Sequence, residues 1–313
     1  MRGVYCDGRS VELRTDLESP KPSPGETLLR VRAAGICDTD LQLARGYMGY
    51  RGILGHEFVG VDSQGRRFTS EINHACRACP TCAAGRPGHC PNRTVLGILG
   101  HDGAMADYVR VPVANLHSVP DSIDDIHAVF IEPLAAAFRI PEQVSLGPGV
   151  RIAILGDGKL GLLCAWVARL TGARTTLVGK HREKLALAGP GIETLALSEI
   201  EGERLDFDVV ADCTGSSTGL PTALRMVRPR GTLVLKTTVA GEYAIDLSGI
   251  VIDEVTVVGS RCGPFARAID ALDRGEIDVA PLIGEVHDLD DAEEAFRRAA
   301  TKGSRKIILR IGE

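Results

Sequence analysis

Four cysteines lie within fifteen residues of one another, and this cluster constrains the fold more than any other feature of the chain. They are Cys76, Cys79, Cys82 and Cys90, with the spacing C-x2-C-x2-C-x7-C. The residues between them are rich in Gly, Pro and other small residues, so this segment has little apolar material with which to hold itself. Two disulfides or an iron–sulfur cluster would each use four cysteines. A closed, tetrahedral structural zinc site fits the spacing best, and such a site leaves no position open for chemistry.

Composition excludes several classes of protein. The chain has 313 residues, 44% of them hydrophobic and 25% charged, which is typical of a globular protein with two domains. The net charge of −5 provides no basic field for nucleic acid or for an anionic membrane. No apolar run reaches the length of a membrane span. The first residues, MRGVYCDGRSVELR, lack the apolar core of a signal peptide and predict two short strands. We therefore expect a cytoplasmic protein, in which disulfides are disfavoured.

A glycine-rich turn begins the second half of the chain. The apolar segment RIAIL is followed directly by Gly156-x-Gly158-x-x-Gly161 and then by a nearly all-apolar helical segment. In this context the first glycine makes the tight turn, the second admits a pyrophosphate, and the third allows close packing of helix on strand. Lys159 and Leu160 would then lie at the helix N-terminus, where backbone amides attract phosphate. Strand and helix patterns alternate from here on, which predicts a doubly wound parallel α/β sheet.

A second group of metal-ligand residues lies upstream of the cysteine cluster. Cys37 is followed nineteen residues later by His56 and Glu57, in the glycine-flanked run GHEFVG. Thiolate, imidazole and carboxylate are all zinc ligands. A buried cysteine and a hydrogen-bonded histidine are the alternative, but a four-cysteine segment close by favours the metal interpretation.

Together these motifs resemble the zinc-dependent medium-chain dehydrogenase/reductase family, which includes alcohol, polyol and threonine dehydrogenases. GICDTDL, GHEFVG and the cysteine segment keep the family's order and spacing over residues 30–112, and the glycine turn extends the match. The resemblance implies a mostly β, GroES-like catalytic domain over residues 1–137, completed by 280–313. It implies a Rossmann domain over residues 138–279.

The resemblance also assigns roles within a catalytic zinc site. Cys37 and His56 would be ligands, and Glu57 either a ligand or a close neighbour. Glu132, in the run EPLA, would supply the third protein ligand, as in the polyol branch; the alternative is an acid that favours a helix N-terminus. Thr39 would hydrogen-bond the substrate oxygen. Such a site keeps one position open for that oxygen, so we expect two zinc ions per chain, one catalytic and one structural.

The coenzyme preference is predicted from the end of the second strand of the parallel sheet. An acid there would hold the ribose 2′-hydroxyl of NAD, but the chain has no Asp or Glu between Gly161 and Glu183. Gly179 leaves space for a 2′-phosphate, and Lys180 and Arg182 can neutralise it, so NADP is favoured over NAD. The alternative is that these cations merely begin a solvated helix. Four further residues that follow later strands complete the predicted coenzyme site: Cys213, Thr214, Ser260 and Arg261.

The sequence therefore predicts a zinc-dependent alcohol or polyol dehydrogenase that uses NADP and acts on a small, polar alcohol or its carbonyl product. A carbonyl reductase of the same family acting on a biosynthetic intermediate is one alternative. A coenzyme-binding protein without turnover is another, and it would hold one zinc instead of two. The segment EVTVVGS corresponds to the strand through which the family dimerises, so the resemblance implies a homodimer or homotetramer.

Overall fold

The computed structural model describes residues 1–200, 202–238 and 244–312. The chain divides into two units, Met1–Glu132 together with Ala268–Glu313, and Pro133–Arg267. The strands are β1 (Gly3–Cys6), β2 (Val11–Arg14), β3 (Glu26–Gly35), β4 (Gly52–Ile53), β5 (Glu57–Val61), β6 (Arg67–Ser70), β7 (Asn73–His74), β8 (Thr94–Val95), β9 (Tyr108–Pro112), β10 (Leu116–Ser118), β11 (Arg151–Leu155), β12 (Arg174–Gly179), β13 (Glu193–Ala196), β14 (Phe207–Asp212), β15 (Val227–Leu235), β16 (Thr256–Gly259), β17 (Ile283–Asp288) and β18 (Lys306–Arg310). The helices are α1 (Asp38–Leu43), α2 (Pro80–Ala83), α3 (Asp125–Ala128), α4 (Ile131–Gln143), α5 (Lys159–Leu170), α6 (Arg182–Leu185), α7 (Gly219–Met226), α8 (Ser248–Ile252), α9 (Phe265–Asp273) and α10 (Ala292–Ala299).

The first unit is built on a seven-stranded, mostly antiparallel sheet. Its order is β10-β6-β5-β3-β18-β17, with β9 also paired to β3. Strand β3 alternates as a half-buried strand should, with Leu29 and Val31 buried and Arg30 between them exposed. Strand β18, from the C-terminal segment, pairs antiparallel with the end of β3. Sequence-distant residues therefore meet at the carboxyl end of β3, where the first metal group lies.

The cysteine segment projects from a short hairpin. Strands β7 and β8 pair antiparallel on either side of residues 75–93. From residue 75 to residue 89 no residue is buried; Cys90 is the first that is. This segment, which we call the cysteine lobe, therefore has no apolar core of its own.

The second unit is a six-stranded parallel sheet in the order β13-β12-β11-β14-β15-β16. Strand β11 reads RIAIL because a central strand of a parallel sheet is covered on both faces, and four of its five residues are buried. Chain order reverses between β11 and β14, and ligands bind parallel sheets at the carboxyl ends of the strands next to such a reversal. The predicted fold class is confirmed. Within the described ranges, no helix has both the length and the apolar character needed to cross a membrane.

Candidate active site

The two predicted metal groups each converge in space. Side-chain ligand atoms of Cys37, His56 and Glu57 all lie within 4.8 Å of one another. They converge because β3 and β5 pair with Gly35 opposite Glu57, so the residue that caps α1 comes to lie beside the start of β5. His56 and Glu57 are almost completely buried, and Cys37 is partly exposed. A thiol, an imidazole and a carboxylate at this spacing fit a zinc ion with one accessible side.

Asp40 organises this group from within the first turn of α1. Its carboxylate accepts hydrogen bonds from the backbone N–H of Cys37, at 2.8 Å, and of Gly55, at 3.3 Å. It also lies 3.5 Å from Nδ1 of His56. Burial alone would lower the pKa of His56, but the charge of Asp40 outweighs it, and the pKa is raised well above its usual value. With Nδ1 facing Asp40, Nε2 is the ring nitrogen that can bind a metal.

Glu57 forms a buried ion pair that the sequence analysis missed. Its carboxylate contacts the ammonium of Lys306, the first residue of β18, and both side chains are no more than 3% exposed. Burial by itself would lower the pKa of Lys306, but the nearby Glu57 and Cys37 raise it to about 12. Lys306 therefore keeps its charge, and Glu57 is held at the metal group by a fixed cation. In the sequence, the only indication of this ion pair was a lysine at the start of the apolar run KIILRI.

Two further residues of the predicted zinc site lie outside this tight group. Glu132 is 8% exposed and lies in the first turn of α4. It is not among the residues whose ligand atoms share the 4.8 Å cluster. Thr39 lies half-buried in the first turn of α1, two residues after Cys37. The roles of both remain predictions.

The four sulfurs of the cysteine lobe approach one another closely. Cys79 lies 3.5 Å from Cys82 and 3.8 Å from Cys90, and Cys90 lies 3.4 Å from Cys76. A tetrahedral zinc with bonds of about 2.3 Å to sulfur would place its ligands about 3.8 Å apart. A hydrogen bond from the backbone N–H of Ala78 is the largest of the effects that lower the pKa of Cys76 to about 6, which favours a thiolate. The geometry fits a closed zinc site.

The glycine turn joins β11 to α5 and has the shape that a dinucleotide needs. Gly156 has φ +121°, which disfavours other residues, and a Cβ on Gly161 would lie 1.9 Å from the carbonyl oxygen of Gly156. A Cβ on Gly158, in contrast, would meet nothing within 4 Å. Gly158 caps α5, whose first two residues are Lys159 and Leu160. Open space at a helix N-terminus fits a pyrophosphate.

The other predicted coenzyme residues lie at the carboxyl ends of parallel strands. Cys213 and Thr214 follow β14, and Ser260 and Arg261 follow β16. The ammonium of Lys236, after β15, donates to Ser260 Oγ at 3.2 Å and to the carbonyls of Ala136 and Arg261. This lysine, which no sequence motif indicated, fixes the loop after β16.

At the end of β12 the structure adds a carboxylate that the sequence did not indicate. Gly179 ends the strand, and Lys180 beside it is exposed. Arg182 donates to Glu199 at 2.7 Å and is 80% exposed. The side chain of Asp157, from the glycine turn, lies directly over Gly179 and accepts a hydrogen bond from the backbone N–H of His181 at 2.7 Å.

Comparison with known proteins agrees with this arrangement. The alcohol dehydrogenase GroES-like domain model matches residues 23–121, and the zinc-binding dehydrogenase model matches residues 160–275. The L-threonine 3-dehydrogenase of Streptomyces avermitilis is 31% identical, with 94% of each chain covered. The chain belongs to the zinc-dependent medium-chain dehydrogenase family. The predicted family is thereby confirmed, and with it the class of enzyme: a zinc alcohol dehydrogenase-type oxidoreductase.

Two other relatives of this dehydrogenase extend the comparison. The Aspergillus clavatus protein named "Probable D-xylulose reductase A" is 28% identical over 91% of this chain and 89% of its own. Among solved structures, a protein of Sinorhizobium meliloti 1021 described as a zinc-binding dehydrogenase, and bound to NADP, superimposes with a TM-score of 0.89. It is 29% identical, and the match covers 99% of this chain and 98% of the other.

Proposed function

We propose that this dehydrogenase oxidises a small, polar, polyol-like secondary alcohol to the ketone, and catalyses the reverse reduction, with NADP as its preferred coenzyme. The observation that carries the proposal is the convergence of Cys37, His56 and Glu57 on one point, in a chain that also holds an intact dinucleotide turn. In the oxidation, the alcohol loses a hydride and a proton, and the oxidised coenzyme becomes NADPH.

The metal group and the coenzyme would supply the reactivity, and the protein would hold them. When bound, zinc supplies a Lewis acid for the substrate oxygen, and the nicotinamide accepts the hydride. Cys37 and His56 would hold the ion, with Glu57 or Glu132 completing its protein ligands. Asp40 fixes the orientation of His56, since it lies at Nδ1. Thr39, in the same turn, would accept the hydrogen bond of the substrate hydroxyl as its proton leaves.

The preference for NADP rests on Gly179 and Lys180. Gly179 itself contributes no side chain at the strand end, although the Asp157 carboxylate lies over it, and the ammonium of Lys180 is exposed beside it. A 2′-phosphate there would gain charge-assisted hydrogen bonds. The contact of Arg182 with Glu199 leaves Lys180 as the main cation for this role.

We also propose two zinc ions per chain, a homodimer formed through the edge of the parallel sheet, and a cytoplasmic location. Among the residues that the structure describes, strand β16 lies at that edge. Val257 in β16 is 40% exposed, and three apolar residues in the segment that precedes the strand, Leu247, Val251 and Ile252, are 56–78% exposed. An unpaired strand edge flanked by exposed apolar side chains is suited to pairing with a second copy.

The experiment that tests the catalytic site is substitution of Cys37. Cys37→Ser should abolish turnover and leave one zinc per chain instead of two, with the circular dichroism spectrum unchanged. Cys262→Ser, a thiol outside both zinc groups, serves as the control and should keep two zinc ions and full activity. Zinc analysis of Glu57→Gln and Glu132→Gln would show which carboxylate completes the site. Unchanged turnover in Cys37→Ser would refute the assignment.

The substrate class is tested with a panel of polyols and simple alcohols, followed through the absorbance of the reduced coenzyme with NAD and with NADP. Higher kcat/KM on polyols than on simple primary alcohols is expected. A preference for long-chain primary alcohols would contradict the proposed substrate class, and tighter binding of NADH than of NADPH would contradict the coenzyme preference.

A further inference from the structure

The carboxylate of Asp157 occupies the space that a side chain at position 179 would fill. A Cβ built on Gly179 would lie 2.4 Å from both Cβ and Oδ2 of Asp157 and 2.7 Å from its Cγ. Asp157 is the residue between the first two glycines of the turn, a position that would face a pyrophosphate unfavourably if the side chain pointed toward it. Instead, the Asp157 side chain points to the carboxyl end of the neighbouring strand, β12.

His181 fixes this carboxylate in place. Oδ2 of Asp157 accepts from the backbone N–H of His181 at 2.7 Å, and the Nδ1 atom of the same residue lies 3.1–3.2 Å from both carboxylate oxygens. The Asp157 side chain is 9% exposed, and the His181 ring is 30% exposed. A carboxylate has about four acceptor positions, and the contacts with His181 do not use all of them.

In a dinucleotide-binding fold, residues at the end of the strand corresponding to β12 contact the adenosine ribose and distinguish a 2′-hydroxyl from a 2′-phosphate. An acid there accepts a hydrogen bond from the 2′-hydroxyl of NAD. A 2′-phosphate has no such proton to donate at neutral pH, and its charge is repelled by a carboxylate at short range. A buried carboxylate therefore favours NAD at this place, whichever residue supplies it.

We infer that Asp157 is a specificity-determining residue that takes the place of the missing strand-end acid. It accepts from the ribose 2′-hydroxyl of NAD and limits the preference for NADP that Lys180 provides. The site therefore accommodates both coenzymes, and the opposite charges of Asp157 and Lys180 set the ratio of their dissociation constants. This inference rests on the proposed function only in that a nicotinamide dinucleotide binds at the glycine turn.

Asp157→Asn is the direct test, because it removes the charge and keeps the shape and one acceptor oxygen. Dissociation constants of NADH and NADPH would be measured by fluorescence titration of the same protein sample. We expect NADPH to bind more tightly and NADH more weakly, so that the ratio Kd(NADH)/Kd(NADPH) rises by about tenfold. Adenosine 2′,5′-bisphosphate and AMP, as competing ligands, should show the same change without any nicotinamide.

Asp206→Asn is the matched control. Asp206 is exposed and directly precedes β14. It therefore lies at the amino ends of the parallel strands, whereas the coenzyme site lies at their carboxyl ends. The control removes the same charge and should leave the ratio unchanged. The ratio does not depend on the fraction of folded protein, so partial instability of Asp157→Asn would not obscure the result.

Two outcomes would overturn the inference. An unchanged ratio would mean that Asp157 only stabilises the turn, and a fall in the ratio would mean that it supports the 2′-phosphate through His181. The wild-type ratio tests a different statement, the proposed preference for NADP, so each can fail without the other.

A double variant gives a second, independent test. Gly179→Asp alone is sterically blocked by Asp157, so its failure would say little about coenzyme choice. In Asp157→Gly combined with Gly179→Asp, the Cβ of residue 157 that would lie 2.4 Å from the new Cβ is removed as well. The carboxylate then moves to the strand end itself, and the ratio should return toward or below the wild-type value. A ratio that stays as high as that of Asp157→Asn would count against a role for a carboxylate at this place.

Discussion

Two glycines in this dehydrogenase are required by neighbouring carboxylates and not by their own backbone angles. Neither Gly35 nor Gly179 has a positive φ. A Cβ on Gly35 would lie 2.6 Å from Oε2 of Glu57, just as one on Gly179 would lie 2.4 Å from Oδ2 of Asp157. At both functional sites, therefore, a missing side chain makes space for an acid supplied by another part of the chain.

Gly35→Ala should disturb the metal group. The added methyl group would lie 2.6 Å from both Oε2 of Glu57 and Cγ1 of Val129, so these side chains must shift and the contact of Glu57 with Lys306 would be disturbed. We expect a loss of about 1–3 kcal/mol in the free energy of unfolding and a reduced kcat. Urea unfolding and steady-state kinetics measure the two effects.

Gly249→Ala is the control for this substitution, since nothing lies within 4 Å of the added atom and the position is inside α8. It should keep both stability and kcat. A Gly35→Ala variant that behaves like the control would show that the Glu57 carboxylate does not need its observed position.

Among the elements, the cysteine lobe is the one for which the proposed structural zinc has the most direct consequence. It is closed at its base by the β7–β8 hairpin, and its residues 75–89 are all at least partly exposed. A segment without a core cannot offset the entropy of ordering its backbone through apolar burial. The proposed bonds between the four sulfurs and a zinc ion would supply the energy that orders the lobe.

Cys79→Ser should remove the structural zinc and unfold the lobe. The chain should retain one zinc, lose about 2–5 kcal/mol in the free energy of unfolding, and become sensitive to trypsin at Arg77, which precedes Ala78. Metal analysis and limited proteolysis followed by mass spectrometry are the measurements. Treating the wild type with a chelator should reproduce the cleavage pattern.

His89→Gln provides the comparison in the same segment. His89 is exposed within the lobe, and four sulfurs already suffice to bind zinc. This variant should keep two zinc ions and resist trypsin as the wild type does. Two zinc ions and full protease resistance in Cys79→Ser would refute the four-sulfur site.

For the whole molecule, the feature with the largest consequence for self-association is the open edge of the parallel sheet. Strand β16 ends the sheet within the described chain, and the side chains of Val251 and Ile252 in the preceding helix α8 are 74% and 78% exposed. Exposed apolar groups beside an unpaired edge favour self-association.

If the proposed dimer forms through this edge, Ile252→Asp should shift it toward monomer, because a symmetric interface would bury the new charge twice. Light scattering during size-exclusion chromatography, over a range of concentrations, measures the change. Val113→Asp places the same charge on an exposed apolar residue of the first unit and should leave the dimer intact. A monomeric wild type would contradict the proposed interface.

Much of the fold and part of the site could be predicted from the sequence. The strands at the N-terminus, the glycine turn and the parallel sheet follow from local patterns of apolar and glycine residues, and the structure confirms them. The unit boundaries are harder to predict, because they fall inside α4 and α9, where no linker composition marks them. The exact zinc ligand set and the domain limits remain predictions.

The sequence by itself indicated which residues could bind a metal or a coenzyme: four cysteines within fifteen residues, a cysteine and a histidine nineteen residues apart, and three glycines in one turn. Only the tertiary structure decided which charges meet those ligands. Lys306 lies 249 positions from Glu57, and His181 lies 24 positions from Asp157. Such contacts depend on the register of the strands and on one loop crossing over the end of another strand. No local spacing in the sequence encodes them.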